Sequence, residues 1–386
     1  MPTSARLPED STPRLLPRLS AVLLLLFVFM LGVKGLGSGF RLLGEDLIQS
    51  FFAATENPFV GLVVGLLATT LVQSSSVTTS MIVALVAAPE SPLPLANAIP
   101  MVMGANIGTT VTATVVSLAH IGRRDEFERA FPVAICHDAF NYFSVLILLP
   151  LELATGILRR SAVWMGGALG EMGGVEYESL LDTALDAGLA PFRALAGLSF
   201  GAQSAQGAFL TVVSGLLIFV ALFLLVKVLR SVLHTRVEEV VNGTLGRSAV
   251  IAILVGIAMT VMVQSSSITT SVLVPLGAAG MLRLEQAFPV TIGANIGTTV
   301  TALLAAMAVS GPNAVVGLEI ALVHLLFNLT GLAIIYPVQR IRKVPLDVSR
   351  AATRLALRSW KLTVLWVALL FYGLPSLCIA IAQWFR

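Results

Sequence analysis

The peptide Gln-Ser-Ser-Ser (QSSS) occurs twice in this chain of 386 residues, at 73–76 and at 264–267, each time inside an apolar run. Each copy is followed by GANIGTTVTA, which begins at Gly104 and again at Gly293. Hydroxyl and amide groups in apolar surroundings are costly unless they are hydrogen-bonded or hold a polar ligand. The duplication therefore predicts one polar binding site built from two halves of the polypeptide.

The composition predicts an all-α polytopic membrane protein. Hydrophobic residues make up 56% of the chain and charged residues 12%, and the mean hydropathy is +0.92. Apolar stretches near 20–36, 208–226, 317–338 and 362–384 each approach the ~20 residues that a helix needs to cross the hydrocarbon core. The net charge of +3 gives no reason to expect a nucleic-acid partner. The lipid bilayer is the expected environment.

Two windows of the sequence, 59–151 and 248–338, align as repeats. The matched residues fall in the same order: Gln73 with Gln264, Pro100 with Pro289, His137 with His324, and Asn141 with Asn328. The predicted organisation has five parts. An N-terminal cytoplasmic segment, a first span and an amphipathic segment occupy 1–58, and an external segment, a linking span and a cytoplasmic loop occupy 152–247. A basic cytoplasmic segment and the last span follow repeat 2, at 339–386.

The placement of positive charge predicts that the two repeats have inverted topology. We assume a cytoplasmic N-terminus, QSSS segments that enter and leave on one side as re-entrant helical hairpins, and single crossings for the GANIG and histidine segments. This arrangement puts 18 of the 24 lysines and arginines in the cytoplasm. The bias agrees with the positive-inside rule. We therefore predict a multi-pass protein of the cell membrane (plasma or bacterial inner membrane) with a cytoplasmic N-terminus.

Both repeated segments are expected to break transmembrane helices. Serines compete for backbone hydrogen bonds in QSSS, and Pro100 and Pro289 are expected to interrupt the two GANIG helices. Broken helices persist in a membrane only where they line a cavity. No charged residue occurs in 61–86 or 95–119, so an anion bound there would need a cation beside it. The residues alone thus indicate a cation-coupled carrier of a small polar or anionic solute.

The paired QSSS, the paired GANIGTT and the segment RRDEFERAFPVAICHDAFNYFSVLILLPLE closely resemble the type II sodium–phosphate cotransporter family. The resemblance implies inorganic phosphate as substrate, sodium as co-transported ion, no cofactor and no enzymatic activity. It places both QSSS segments at the centre of the site. The candidate phosphate-binding residues are Gln73, Ser74, Ser75, Ser76, Gln264, Ser265, Ser266, Ser267, Thr109 and Thr298. The candidate sodium-binding residues are Gln73, Ser76, Thr78, Thr79, Asn106, Gln264, Ser267, Thr269, Thr270 and Asn295.

Several alternatives stay open at this point. A carrier of the same design could take another small anion, such as sulfate or a dicarboxylate. An intramembrane serine hydrolase using His137 and Asp138 is disfavoured because no G-x-S-x-G turn is present. The two histidines could relay protons, or could form structural hydrogen-bond pairs with the asparagines four residues later. The sequence leaves the oligomeric state open.

Overall fold

The computed structural model describes residues 15–43, 55–88, 92–172, 180–233, 248–309 and 311–384, and every regular element in these ranges is a helix. In chain order the helices are α1 (Leu15–Leu42), α2 (Pro58–Val72), α3 (Ser75–Val86), α4 (Leu95–Thr109), α5 (Val111–Leu118), α6 (Arg124–Thr155), α7 (Ile157–Met172), α8 (Leu180–Ser199), α9 (Gln203–Leu233), α10 (Ala249–Val263), α11 (Ser266–Ala278), α12 (Leu284–Met307), α13 (Ala314–Ile335), α14 (Gln339–Ala356), α15 (Trp360–Ala368) and α16 (Leu374–Trp384). A π-helical turn, Leu369–Gly373, joins α15 to α16. The predicted N-terminal cytoplasmic segment, most of the predicted amphipathic segment and the loop before residue 248 lie outside the described residues.

Within the described ranges, six helical segments are long and apolar enough to cross a membrane. They are Leu95–Leu118, Arg124–Thr155, Gln203–Ala221, Leu284–Met307, Ala314–Ile335 and Trp360–Cys378. These segments confirm the prediction of an all-α polytopic membrane protein.

The apolar helices on either side of each QSSS break are too short to cross a bilayer alone. Helices α2 and α3 have 15 and 12 residues, and α10 and α11 have 15 and 13. A span needs ~20 residues. Each pair is separated by the start of a QSSS segment, so the predicted interruption at QSSS is confirmed. Re-entry of each pair on one side of the membrane stays a prediction.

The glycines of the repeats let α2 pack against α4, and α10 against α12, at backbone distance. A Cβ on Gly104 would collide with the Leu62 carbonyl oxygen, and one on Gly293 with the Ile253 carbonyl oxygen. Small residues with this spacing allow membrane helices to approach closely. The GANIG segments therefore serve helix packing in addition to any role in binding.

The expectation that Pro100 and Pro289 interrupt the GANIG helices is wrong. Helix α4 continues through Pro100 to Thr109, and α12 continues through Pro289 to Met307. Each proline is the sixth residue of its helix, so its ring opposes the carbonyl of the second residue, where the helix has scarcely begun. Neighbouring side chains and helices satisfy such freed groups in membrane helices. The first GANIG segment instead breaks later, at Thr110 between α4 and α5.

The two sequence windows are interleaved in the bundle rather than packed as separate units. Helix α3 contacts α12 and α13, and α11 contacts α5 and α6. Helix α3 thus lies against the GANIG and histidine helices of the other window, and α11 lies against the helix that follows GANIG and against the histidine helix. Outside this centre, α1 packs along α9, and α16 packs against α2.

Candidate functional site

Each QSSS segment reverses the backbone at its glutamine. Gln73 has φ 57° and Gln264 has φ 53°, and they are the two non-glycine residues with positive φ in the part of the chain that the structure describes. Left-handed conformations are unfavourable for residues with a Cβ and concentrate at functional sites. The shared strain indicates that the two segments have the same local structure.

The serine after each glutamine starts the next helix. Ser74 and Ser265 are extended, and their hydroxyls accept hydrogen bonds at 3.3 Å from the amides of Val77 and Ile268. Serine is a favoured N-cap for this reason. The first two amides of each helix belong to the remaining serines of its segment, and they have no acceptor four residues back in the helix. Both helices therefore direct free N–H groups from the break.

The glutamine side chains bind each break to the GANIGTTVTA segment of the same half. Gln73 Nε2 donates to the carbonyl three residues back at 2.5 Å, and its Oε1 accepts from Thr112 Oγ1 at 2.9 Å. Gln264 repeats both bonds at 2.7 and 2.8 Å, with Thr301 as the donor. Sequence reasoning missed Thr112 and Thr301. Each of these threonines follows the asparagine of its GANIG segment at the same spacing in the sequence, and this match could have identified them.

The two breaks meet in the interior. Ser76 Oγ lies 3.4 Å from the Gln264 carbonyl oxygen, and Ser267 Oγ lies 3.5 Å from the Thr109 carbonyl oxygen. Both serines are buried. Hydroxyl hydrogen bonds are usually 2.5–3.0 Å long, so these contacts bring the two halves together without strong bonding. The structure thus places both QSSS segments at one location.

The two glutamines differ in access although their local structures agree. Gln73 is exposed, whereas Gln264 is only 9% exposed. The first break therefore opens to the outside of the fold, and the second is closed over by protein.

The predicted threonines use their protons inside their own helices. Thr79 and Thr270 donate to the carbonyls four residues back at 2.8 and 2.9 Å. Thr109 and Thr298 do the same at 2.9 and 3.0 Å, and Thr78 and Thr269 at 3.2 Å. A hydroxyl that has donated its one proton offers only lone pairs. These oxygens therefore suit a cation better than an anion, which favours the sodium assignments and weakens Thr109 and Thr298 as phosphate donors.

A buried network of amides lies beside the breaks. Asn295 Nδ2 donates to Asn141 Oδ1 at 2.7 Å, and Asn328 Nδ2 donates to Asn106 Oδ1 at 3.3 Å. All four side chains are at most 4% exposed. Each GANIG asparagine is thus paired with the asparagine of the histidine helix from the other window.

The two histidines of this region have different surroundings. His137 Nε2 lies 2.7 Å from Asn295 Oδ1, while neither ring nitrogen of His324 has a hydrogen-bond partner among the described residues. His137 therefore forms a structural hydrogen bond to an asparagine, as one of the two sequence interpretations expected. The partner is Asn295 of the other half, and not the asparagine four residues later in the same helix. The side chain of Asp138 accepts from Thr114 at 2.9 Å. No hydrogen bond joins His137 to a serine in the described structure, and the hydrolase hypothesis receives no support.

These features define a polytopic helical membrane protein whose two interrupted helix pairs meet at a neutral polar site. Residues 28–159 and 217–378 match the family model described as Na+/Pi-cotransporter. The chain belongs to this sodium–phosphate cotransporter family, whose members are transporters and not enzymes.

Two relatives illustrate the similarity. Sodium-dependent phosphate transport protein 2A of Ovis aries is 33% identical over 432 aligned positions, which cover 93% of this chain and 66% of that protein. Sodium-dependent phosphate transport protein 2B of Pongo abelii is 32% identical over 445 positions, which cover 93% of this chain and 64% of that protein. The chain thus spans just under two thirds of the length of these relatives. No solved structure matches the chain.

Proposed function

We propose that this protein imports inorganic phosphate together with sodium by alternating access, at a site between the two QSSS breaks. The observation that carries the proposal is the meeting of two helix breaks that have the same backbone and side-chain geometry and contain no charged residue. The names of the relatives, sodium-dependent phosphate transport proteins, support the same substrates.

The roles of the residues follow from their hydrogen-bonding capacity. Phosphate is assigned to the free first-turn amides and hydroxyls of the serines at 74–76 and 265–267, since helix N-termini favour anions. Sodium is assigned to oxygens that only accept, among them Thr79, Thr270 and the glutamine carbonyls. Because 61–86 and 95–119 contain no lysine or arginine, the sodium ions supply the positive charge that the anion needs.

In alternating access, each half of the protein would adopt the conformation that the other half has here. With 59–151 and 248–338 as inverted repeats, the opposite state has Gln264 open and Gln73 closed. The arrangement of basic residues favours a cytoplasmic N-terminus. A cysteine introduced beside one of the glutamines, Val72→Cys or Val263→Cys in a chain lacking Cys136 and Cys378, tests the exchange. Sodium and phosphate should change the labelling of these two cysteines by a membrane-impermeant thiol reagent in opposite directions.

Uptake into proteoliposomes tests the transport function. Labelled phosphate should accumulate when an inward sodium gradient is imposed, and a potential of 100 mV adds about 2.3 kcal/mol per net charge moved. Equal accumulation with potassium in place of sodium would contradict sodium coupling. Arsenate, which resembles phosphate, should compete for uptake. Competition by sulfate or a dicarboxylate but not by arsenate would indicate the alternative substrate class.

A further inference from the structure

Helix α14 has two apolar faces, of which one is uncovered. Pro345, Leu346 and Ala356 are buried, and the helix packs against α6. A second set of apolar side chains recurs along the helix and is exposed. Ile341, Val344 and Val348 are 37–42% exposed, and Leu355, two turns further on, is 63% exposed. An exposed apolar stripe on an arginine-rich helix is typical of a helix that lies in the membrane interface.

A cavity of about 550 Å³ lies next to this stripe, between α14, α15 and the first part of α6. Val348, Leu355, Leu362 and Trp366 form much of its wall, and Arg358 is the one charged residue among the described residues that line it. The volume falls in the range of about 300–1,000 Å³ that small-molecule sites occupy. The hydroxyl of Thr363, also in the wall, is hydrogen-bonded to the carbonyl of Ala356. The cavity therefore suits an apolar chain.

Three cations surround the place where α14 gives way to α15. Arg354, Arg358 and Lys361 are exposed, and none of them forms an ion pair with another described residue. Lys361 Nζ lies 5.9 Å from the centre of the Trp360 ring. Tryptophan is enriched at the level of lipid headgroups. Uncompensated positive charge beside an apolar cavity at this level complements a negatively charged headgroup with an acyl chain.

We propose that this cavity is a binding site for one anionic phospholipid. An acyl chain occupies the space between α14 and α15, and the headgroup phosphate contacts Arg354, Arg358 and Lys361. The lipid would brace α14 against the last span, whose α16 and π-helical turn pack on α2. Since α2 ends at Val72, directly before Gln73, this site adjoins the transport machinery without sharing residues with it.

Native mass spectrometry of the detergent-purified protein tests the proposal. Phosphatidylglycerol and phosphatidylcholine with identical acyl chains are added in equal amounts, and free oleate is added in a separate arm. The wild-type protein should retain phosphatidylglycerol preferentially. Arg358→Gln should reduce that preference about fivefold, the equivalent of one cation at a membrane surface. Ala352→Phe, which fills the cavity, should abolish retention.

Arg340→Gln is the matched control, because Arg340 is an exposed cation near the start of α14 and does not line the cavity. This variant should retain phosphatidylglycerol as the wild type does. Equal retention of both phospholipids, displacement by oleate at the same concentration, or equal losses in the Arg358 and Arg340 variants would overturn the proposal. Arg358→Gln changes only an exposed side chain, so the test holds even if Ala352→Phe folds poorly.

Discussion

Replacement of Gln264 separates the contribution of its side chain from that of its backbone conformation. Glycine adopts the left-handed conformation without strain, and alanine adopts it with the same strain as glutamine. Both Gln264→Gly and Gln264→Ala remove the amide that bonds to Thr301. The two variants therefore share the loss of the side chain and differ only in the strain of the break.

The expected magnitudes follow from these contacts. The two hydrogen bonds of the Gln264 side chain are worth about 0.5–1.5 kcal/mol each, and left-handed strain in a residue with a Cβ is roughly 1–2 kcal/mol. In Gln264→Gly the loss of the two hydrogen bonds and the relief of the left-handed strain offset each other. The free energy of unfolding of this variant should therefore lie within about 1 kcal/mol of the wild-type value. In Gln264→Ala the loss stands alone, and the free energy of unfolding should fall by about 1–3 kcal/mol.

Thermal unfolding in detergent, followed by tryptophan fluorescence, measures the stabilities, and sodium-driven phosphate uptake into proteoliposomes measures function. If the amide takes part in binding, both variants should lose uptake although only Gln264→Ala is clearly destabilised. Wild-type uptake by Gln264→Gly would refute a role for the side chain and leave only the backbone break. Equal stabilities of the two variants would refute the strain argument.

Three further predictions use the same assays. Asn295→Ala leaves His137 and Asn141 without their partner and should lower the free energy of unfolding by about 1–3 kcal/mol. Asn106→Ala loses a bond within its own helix and a longer contact to Asn328, which keeps its bond to the His324 carbonyl, so this change should cost about 1 kcal/mol or less; equal losses would contradict the network. Gly104→Ala drives a methyl group into a neighbouring backbone and should destabilise by about 1–3 kcal/mol, while Gly122→Ala, with nothing within 4 Å of its Cβ, should be neutral. Ser266→Ala, like the matching change at position 75, should impair uptake but not membrane insertion, and normal uptake by both would refute the site assignment.

The sequence predicted the helix breaks because their cause is local. A serine N-cap and a run of residues that compete for backbone hydrogen bonds act within one turn of helix, and their duplication removed the ambiguity of a single copy. The left-handed conformation of the two glutamines was not predicted. Glycine is the residue that usually indicates this conformation in a sequence, and glutamine gives no such indication. The continuity of α12 through Pro289 also escaped prediction, since it depends on the position of the proline in the helix and on its neighbours.

The pairing of the asparagines could not be read from the sequence for a different reason. Asn295 and Asn141 are separated by 154 residues, and Asn328 and Asn106 by 222. The spacing of His137 and Asn141 placed both on one face of a helix but gave no indication of what that face meets. Only the interleaving of the two windows brings the GANIG segment of one half to the histidine helix of the other.

The unequal hydrogen bonding of the two histidines is what the proposed transport cycle predicts for one of its two end states. His137 is bonded to Asn295, while its counterpart His324 has no partner in the described structure. If the two halves exchange conformations, the bond between His137 and Asn295 is lost and a bond from His324 to Asn106 replaces it. The number of buried hydrogen bonds is then conserved. A carrier must populate both states, so their free energies can differ by only a few kcal/mol. Duplicated polar residues meet this requirement because each interaction lost in one half is regained in the other, and the solute is left to bias the equilibrium.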